Sequence, residues 1–302
     1  FSSIGPALKG VEAADQQKAD AIMLALDGTP NKAKLGGNTT ASVSAAVLKA
    51  GAASLGIPLY QYIGGTAACL IPTPGVGILN TIAGYGGKAI HGDKPSYSFM
   101  TYGFSSFTEA SYAAWQVRRI YLKLLEEKLK LVNLASYRIV VPPGTVDHER
   151  EIWKIMAEAI ELSGHTDKIG IQVDVAAATY YNKTKRLYQG LFSTQEKSRD
   201  DMIELYGDMV RQYPFICLED PLDENDYEGH AILTKELGIQ VVGDDLFTTN
   251  VERLKLGMKS GACNTVLLKV NQIGTISEAF ETVSTCQFEA RQQGSDRCEY
   301  LA

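Results

Sequence analysis

Three short apolar segments, each closing on a charged residue, recur at equal spacing in the second half of the sequence. They end at Glu219, Asp244 and Lys269, so the charged residues are 25 positions apart in both cases. A repeat of this length accommodates one strand, one helix and two short loops, which is the βα unit of a parallel sheet or barrel. A similar segment upstream ends at Asp174. The charged ends of successive parallel strands would meet at one rim, where barrel enzymes carry their active sites.

The length and composition predict two domains. The chain has 302 residues, of which 45% are hydrophobic, enough to bury a large core. Helical spacing over 11–27 and a run of small residues over 38–55 predict a mainly helical domain, which we place at residues 1–66. From residue 169 onward, strands alternate with helices. We therefore predict an α/β barrel domain over residues 67–302.

Charge and cysteine usage exclude several classes of protein. A net charge of −6 and the absence of a dense Lys/Arg stripe disfavour a nucleic-acid partner. We find no run of eighteen apolar residues and no charged-then-apolar leader, so we expect no membrane association and no secretory signal. Five scattered cysteines without a Cys-x-x-Cys pair indicate reduced thiols and the cytoplasm. Residues 84–89 nearly match a dinucleotide fingerprint, but without a following helix a flexible glycine-rich loop is favoured.

The carboxylates of the strand ends need a positive partner. Asp174, Glu219 and Asp244 would repel one another if brought together without one. They could instead be helix caps and surface groups, which are common at strand ends in any barrel. An all-oxygen ligand set suits Mg²⁺, a hard cation. Lys269 could be a structural counter-ion, or a base that removes a proton, because a divalent cation nearby would lower its pKa.

The sequence resembles the enolase (phosphopyruvate hydratase) family. The motifs that carry the resemblance span residues 26–38, 56–60, 169–178, 218–221, 241–246 and 267–274. It implies an enolase-type (β/α) barrel with a small helical N-terminal domain. It also implies that Asp174, Glu219 and Asp244 bind Mg²⁺. Lys269 would be the general base that takes the proton α to the carboxylate of 2-phospho-D-glycerate, giving phosphoenolpyruvate in glycolysis. His91 lies close to the family's substrate-contacting histidine, although an ordinary loop histidine fits equally well.

The sequence departs from the family pattern where protons are delivered. Ser98 stands where the family has an acidic residue, and an apolar segment near 139–144 replaces the Gly-Asp-Glu-Gly-Gly loop that supplies the general acid. The residues after about 287 resemble a much later part of the family sequence, so we expect a partial chain and an incomplete barrel whose late strands are missing. Open sheet edges would then need a partner to cover them.

Two functions follow from these departures. The protein could be a working phosphopyruvate hydratase. It could also be a catalytically weak enolase-fold scaffold or a structural subunit of a larger assembly, such as a flagellar or cytoskeletal complex, as in a divergent testis or flagellar paralogue. Loss of proton delivery costs on the order of 10²- to 10⁴-fold in rate, which favours impaired catalysis. By resemblance we expect a homodimer, located in the cytoplasm or on such an assembly.

Overall fold

The computed structural model describes residues 3–81, 94–132, 134, 139–142, 144–292 and 299–301. They form two compact units. The first comprises Phe1–Leu70, Phe247–Leu256 and Val266–Ala302, and the second Ile71–Leu246 and Gly257–Thr265. The domain ranges 1–66 and 67–302 stay a prediction from the sequence.

Helices and strands alternate along the described chain. The helices are α1 (Ile4–Leu8), α2 (Gln16–Asp27), α3 (Gly37–Ser54), α4 (Leu59–Gly64), α5 (Phe107–Leu129), α6 (Arg150–Ser163), α7 (Arg199–Gln212), α8 (Tyr227–Leu237), α9 (Val251–Ser260), α10 (Val270–Ile273) and α11 (Ile276–Gln292). The strands are β1 (Gly75–Thr81), β2 (Ser96–Thr101), β3 (Val140–Val141), β4 (Ile169–Asp174), β5 (Tyr181–Asn182), β6 (Leu187–Tyr188), β7 (Phe215–Glu219), β8 (Gln240–Gly243), β9 (Thr265–Leu267) and β10 (Glu299–Leu301). The predicted α/β class is confirmed.

Local capping explains where the predicted helices begin and end. The helix predicted over 11–27 starts later, because the Asp15 side chain accepts the N–H of Lys18 and caps α2 there. The same helix stops at Gly28, which has a left-handed φ of 67°. Helix α5 ends at Leu129, since Lys130 also takes a left-handed conformation.

The second unit is built on a mixed sheet. Within this unit the strand order is β8-β7-β4-β2-β1-β3. Strands β4, β7 and β8 run parallel to one another, whereas β2 runs antiparallel to both β1 and β4. The alternation of β4 buries Ile169, Ile171 and Val173 in the core and leaves Gln172 and Asp174 on the opposite face. This alternation presents the charged strand end away from the hydrophobic core.

The core behind the sheet is centred on Trp153 of α6. Its ring makes edge contacts with Phe192, Tyr213 and Phe215. Its indole N–H donates to the Tyr97 hydroxyl at 2.8 Å, and that hydroxyl donates to the buried Glu149 carboxylate. Tyr97 and Glu149 thus find hydrogen-bond partners inside an apolar core.

The first unit is held by a buried polar network. The Gln16 amide donates to the Asp20 carboxylate and to the Ser44 hydroxyl, joining α2 and α3. Asp20 Oδ2 accepts the backbone N–H of Ser277 at 3.0 Å and its hydroxyl at 2.7 Å, so it caps the start of α11. None of the described helices is by itself long and apolar enough to cross a membrane.

Candidate metal centre

The pairing of the central strands brings two of the predicted carboxylates together. Asp174 at the end of β4 is the direct neighbour of Glu219 at the end of β7. Glu219 is in turn the neighbour of Val242 on β8, and Asp244 follows that strand. The three residues therefore stand at corresponding ends of three adjacent parallel strands.

Among the described residues, Glu219, Asp220 and Asp244 form a close group of carboxylates. One carboxylate oxygen from each lies within 4.8 Å of the others. The three residues are buried, with 4%, 3% and 6% of their surfaces exposed. Three carboxylates that are this close together and this deeply buried repel one another unless they share a cation or a proton.

Asp220 shapes the loop that carries Asp244. Its Oδ1 accepts the backbone N–H groups of Asp244 at 3.0 Å and Leu246 at 3.4 Å, and its Oδ2 accepts the N–H of Asp245 at 2.8 Å. Burial raises the pKa of Asp220 well above its usual value; the hydrogen bond from Asp245 opposes this shift and the neighbouring acids add to it. Asp220 thus holds in place the loop that presents Asp244.

Asp220 was not among the residues predicted from the sequence. Strand alternation places it on the opposite face from Glu219, away from the rim. In the structure its φ is +43°, a left-handed conformation that turns the chain at the end of β7. Aspartate tolerates that conformation better than most residues, but the sequence carries no periodic signal that predicts it.

The carboxylate of Asp174 is paired with a lysine. Its carboxylate forms an ion pair with the Lys94 ammonium, and the same ammonium lies 3.5 Å from the Ser96 hydroxyl. The Glu219 carboxylate accepts the Gln172 amide at 3.2 Å. The Asp174 carboxylate is therefore directed at a positive group. As a metal ligand, Asp174 stays a prediction.

The remaining residues singled out in the sequence are Lys269, Ser98 and His91. Lys269 belongs to the first unit and precedes α10 as its N-cap residue. Ser98 on β2 is paired with Gly77 on one side and Gln172 on the other. His91 lies outside the described residues. The roles of Lys269 and His91 stay predictions.

The donor set fits a hard divalent cation. Glu219 and Asp244 offer carboxylate oxygens, and the strand partner Asp174 could add a third. Oxygen-only ligation of this kind suits Mg²⁺, which keeps part of its water shell and leaves positions for a substrate. Asp220 would support the site from behind, since both its oxygens already accept backbone N–H groups.

Comparison with known proteins gives one consistent result. The family model described as "Enolase, C-terminal TIM barrel domain" matches residues 69–292, and that described as "Enolase, N-terminal domain" matches residues 2–63. A protein named Enolase from Methanopyrus kandleri is 40% identical over 284 residues, which cover 92% of this chain and 65% of that relative. Proteins of the same name from Methanocaldococcus jannaschii and Thermococcus kodakarensis are 39% and 38% identical; the matches cover 93% of this chain in both cases, and 64% and 65% of those relatives. The chain thus spans slightly less than two thirds of each relative's length.

Proposed function

The chain belongs to the enolase family, and from this premise we propose that it binds Mg²⁺ and acts on 2-phospho-D-glycerate or phosphoenolpyruvate. The observation that carries the proposal is the buried cluster of Glu219, Asp220 and Asp244 at the ends of β7 and β8. Glu219, Asp244 and Asp174 would hold the ion. The bound ion would supply positive charge to the substrate carboxylate while the neighbouring carbon loses its proton.

Lys269 is the proposed general base. Its amine would take the proton from the carbon next to the substrate carboxylate, and proximity to a divalent cation would favour the neutral amine that this step requires. Ser98 occupies the position where the family has an acid, and a hydroxyl of ordinary pKa cannot protonate a departing hydroxide efficiently. We therefore propose that proton removal is retained and that loss of the hydroxyl group is impaired.

Two assays separate the proton-removal step from the complete reaction. In D₂O with Mg²⁺, proton NMR follows exchange of the substrate proton at C2, while ultraviolet absorbance follows phosphoenolpyruvate. We expect exchange to exceed product formation by on the order of 10²-fold. Lys269→Ala should abolish both, whereas Lys255→Ala, which removes an exposed lysine paired with Glu252, should change neither. Equal rates of exchange and product formation would show an ordinary enolase. The absence of both would favour the scaffold function.

Cation binding is tested without catalysis. A ligand present at a hundred times its Kd stabilises the folded state by about 2.7 kcal/mol, so saturating Mg²⁺ should raise the melting temperature clearly. Glu219→Gln and Asp244→Asn should lose most of that increase, and Asp208→Asn, which changes a half-buried acid paired with Arg211 outside this cluster, should keep it. A melting temperature that does not respond to Mg²⁺ would contradict the metal centre. The homodimer, the cytoplasmic location and assembly into a flagellar or cytoskeletal complex stay predictions.

A further inference from the structure

A tight turn after β8 places two β-branched residues in a conformation that such residues rarely adopt. The turn spans Phe247 to Asn250 and is closed by the Asn250 N–H, which donates to the Phe247 carbonyl at 2.8 Å. Its central residues, Thr248 and Thr249, have φ values of +48° and +55°. Turns with two positive φ angles strongly favour Asn-Gly, because side chains branched at Cβ clash with the backbone there. Such strain persists only where surrounding contacts enforce it, and it is concentrated at functional sites.

The strained turn delivers one hydroxyl to the backbone around Lys269. Thr249 Oγ1 accepts the Lys269 N–H at 2.8 Å and donates to the Leu267 carbonyl at 3.4 Å. The Thr249 carbonyl accepts the Thr282 hydroxyl of α11 at 2.7 Å, which fixes the turn from behind. Thr249 is fully buried, with 0% of its surface exposed. The Thr249 side chain therefore hydrogen-bonds the backbone of Leu267 and of Lys269, on both sides of the residue between them.

We propose that Thr249 is a positioning residue for Lys269. Lys269 lies between the end of β9 and the start of α10, with φ −129° and ψ 99°, and its carbonyl accepts the Gln272 N–H of α10 at 3.0 Å. The Thr249 hydroxyl holds the N–H on the other side of Lys269, and the strain of the turn is retained because this conformation brings the hydroxyl to β9. The inference rests on the proposed function, in which the Lys269 amine removes a proton. A misplacement of about 1 Å can cost such a step about 10²-fold in rate.

Four variants test the role of the hydroxyl. Thr249→Ser keeps the hydroxyl, and Thr249→Val replaces it with a methyl group of similar size. Thr249→Ala removes it without adding bulk. Thr248→Gly is the matched control, because it relaxes the neighbouring strained position, whose hydroxyl donates to the adjacent Phe247 carbonyl and, among the described residues, forms no hydrogen bond with β9.

The kinetic readout is C2 proton exchange in D₂O. For Thr249→Val and Thr249→Ala we expect kcat to fall about 10²-fold with KM unchanged, because substrate binding does not depend on the direction of the lysine. Thr249→Ser and Thr248→Gly should stay close to wild type. Equal kcat values for the Ser and Ala variants would overturn the proposal. A rise in KM with unchanged kcat would also overturn it, since that pattern indicates a binding role.

A second readout does not need activity. Reductive methylation with ¹³C labels the lysine amines, the resonance that is missing from Lys269→Ala identifies Lys269, and NMR reports whether that amine has one environment or several. We expect one sharp resonance in wild type and Thr249→Ser, and a broadened or multiple resonance in Thr249→Ala. If the resonances follow this pattern but wild-type protein shows no C2 proton exchange, the proposed reaction is refuted and the positioning role is supported. An unchanged resonance in Thr249→Ala would refute the positioning role, whatever the activity. Should Thr249→Val fail to fold, the comparison of Ser with Ala decides.

Discussion

Replacement of Asp220 by alanine should destabilise the protein far more with Mg²⁺ than without it. The substitution removes the acceptor of three backbone N–H groups, two of which belong to the buried residues Asp244 and Leu246. A buried donor that loses its acceptor costs about 1–3 kcal/mol, so two cost about 4 kcal/mol at the middle of that range. The substitution also removes one carboxylate that lies within 4.8 Å of Glu219 and Asp244.

The loss of this carboxylate determines how far the cost of the substitution differs between protein with Mg²⁺ and protein without it. At an effective dielectric constant of about 20, two negative charges 4.8 Å apart repel by about 3.5 kcal/mol, and Asp220 has two such neighbours, so Asp220→Ala relieves up to about 7 kcal/mol of repulsion in the metal-free protein. A bound divalent cation already neutralises the repulsion, so nothing is relieved and the lost hydrogen bonds set the full cost. We therefore expect a destabilisation of about 4 kcal/mol with saturating Mg²⁺ and no destabilisation in chelator, where the relieved repulsion offsets the lost hydrogen bonds.

Urea unfolding of the same protein in the two conditions provides the measurement. The midpoint should shift in each case with an unchanged m value, since the surface exposed on unfolding stays the same. Asp200→Ala, which removes an acid whose side chain is 88% exposed, should change the stability by no more than about 0.5 kcal/mol in either condition. If the cost of Asp220→Ala is the same with Mg²⁺ and with chelator, the three acids do not share a cation and the reasoning is wrong.

Three further substitutions test neighbouring features. Lys94→Met should tighten Mg²⁺ binding, measured by calorimetry, because it removes the ammonium that now pairs with Asp174; weaker binding would contradict a competition between the two cations. Gly170→Ala should lower stability by about 1–3 kcal/mol in urea, since the added methyl group would lie 2.6–2.9 Å from three side-chain atoms of Ile216. An unchanged urea midpoint would contradict this, because it would show that β4 and β7 accommodate the methyl group without cost. Burial and nearby positive charges lower the pKa of His148 from 6.5 to about 4, so the unfolded chain binds its proton more readily, and stability that is complete above pH 6.5 is lost as the pH falls towards 4. His148→Asn should remove roughly 1–2 kcal/mol of that loss in urea titrations across the window, after allowance for solvent screening, and identical pH profiles would refute this assignment.

The sequence predicted the features that follow from periodicity. The 25-residue spacing predicted that Glu219, Asp244 and Lys269 stand just at or beyond strand ends, and the structure places β7, β8 and β9 accordingly. Helices α7, α8 and α9 alternate with these strands, as predicted from residue 169 onward. Such elements are predictable because buried strands and amphipathic helices leave a repeated pattern of apolar residues.

The features that escaped prediction depend on single backbone conformations. The positive φ angles of Asp220, Thr248 and Thr249 are single backbone conformations that leave no periodic pattern; aspartate only tolerates such an angle, and threonine disfavours it. The direction of β2 was also beyond the pattern, because an antiparallel strand and a parallel strand have the same alternation. Supporting residues such as Asp220 and Thr249 are therefore visible only once the chain is folded.

The aromatic surroundings of Trp153 give the protein an internal optical probe. The chain has only two tryptophans, and they report from contrasting places. Trp153 is enclosed by rings, so its emission should lie at short wavelength and resist quenching by iodide until the core opens. Trp115 is 46% exposed and has the Arg119 guanidinium 4.9 Å from its ring centre, so iodide should reach it in the native state. Fluorescence recorded with and without iodide thus separates the behaviour of the core from that of the α5 surface in one unlabelled sample.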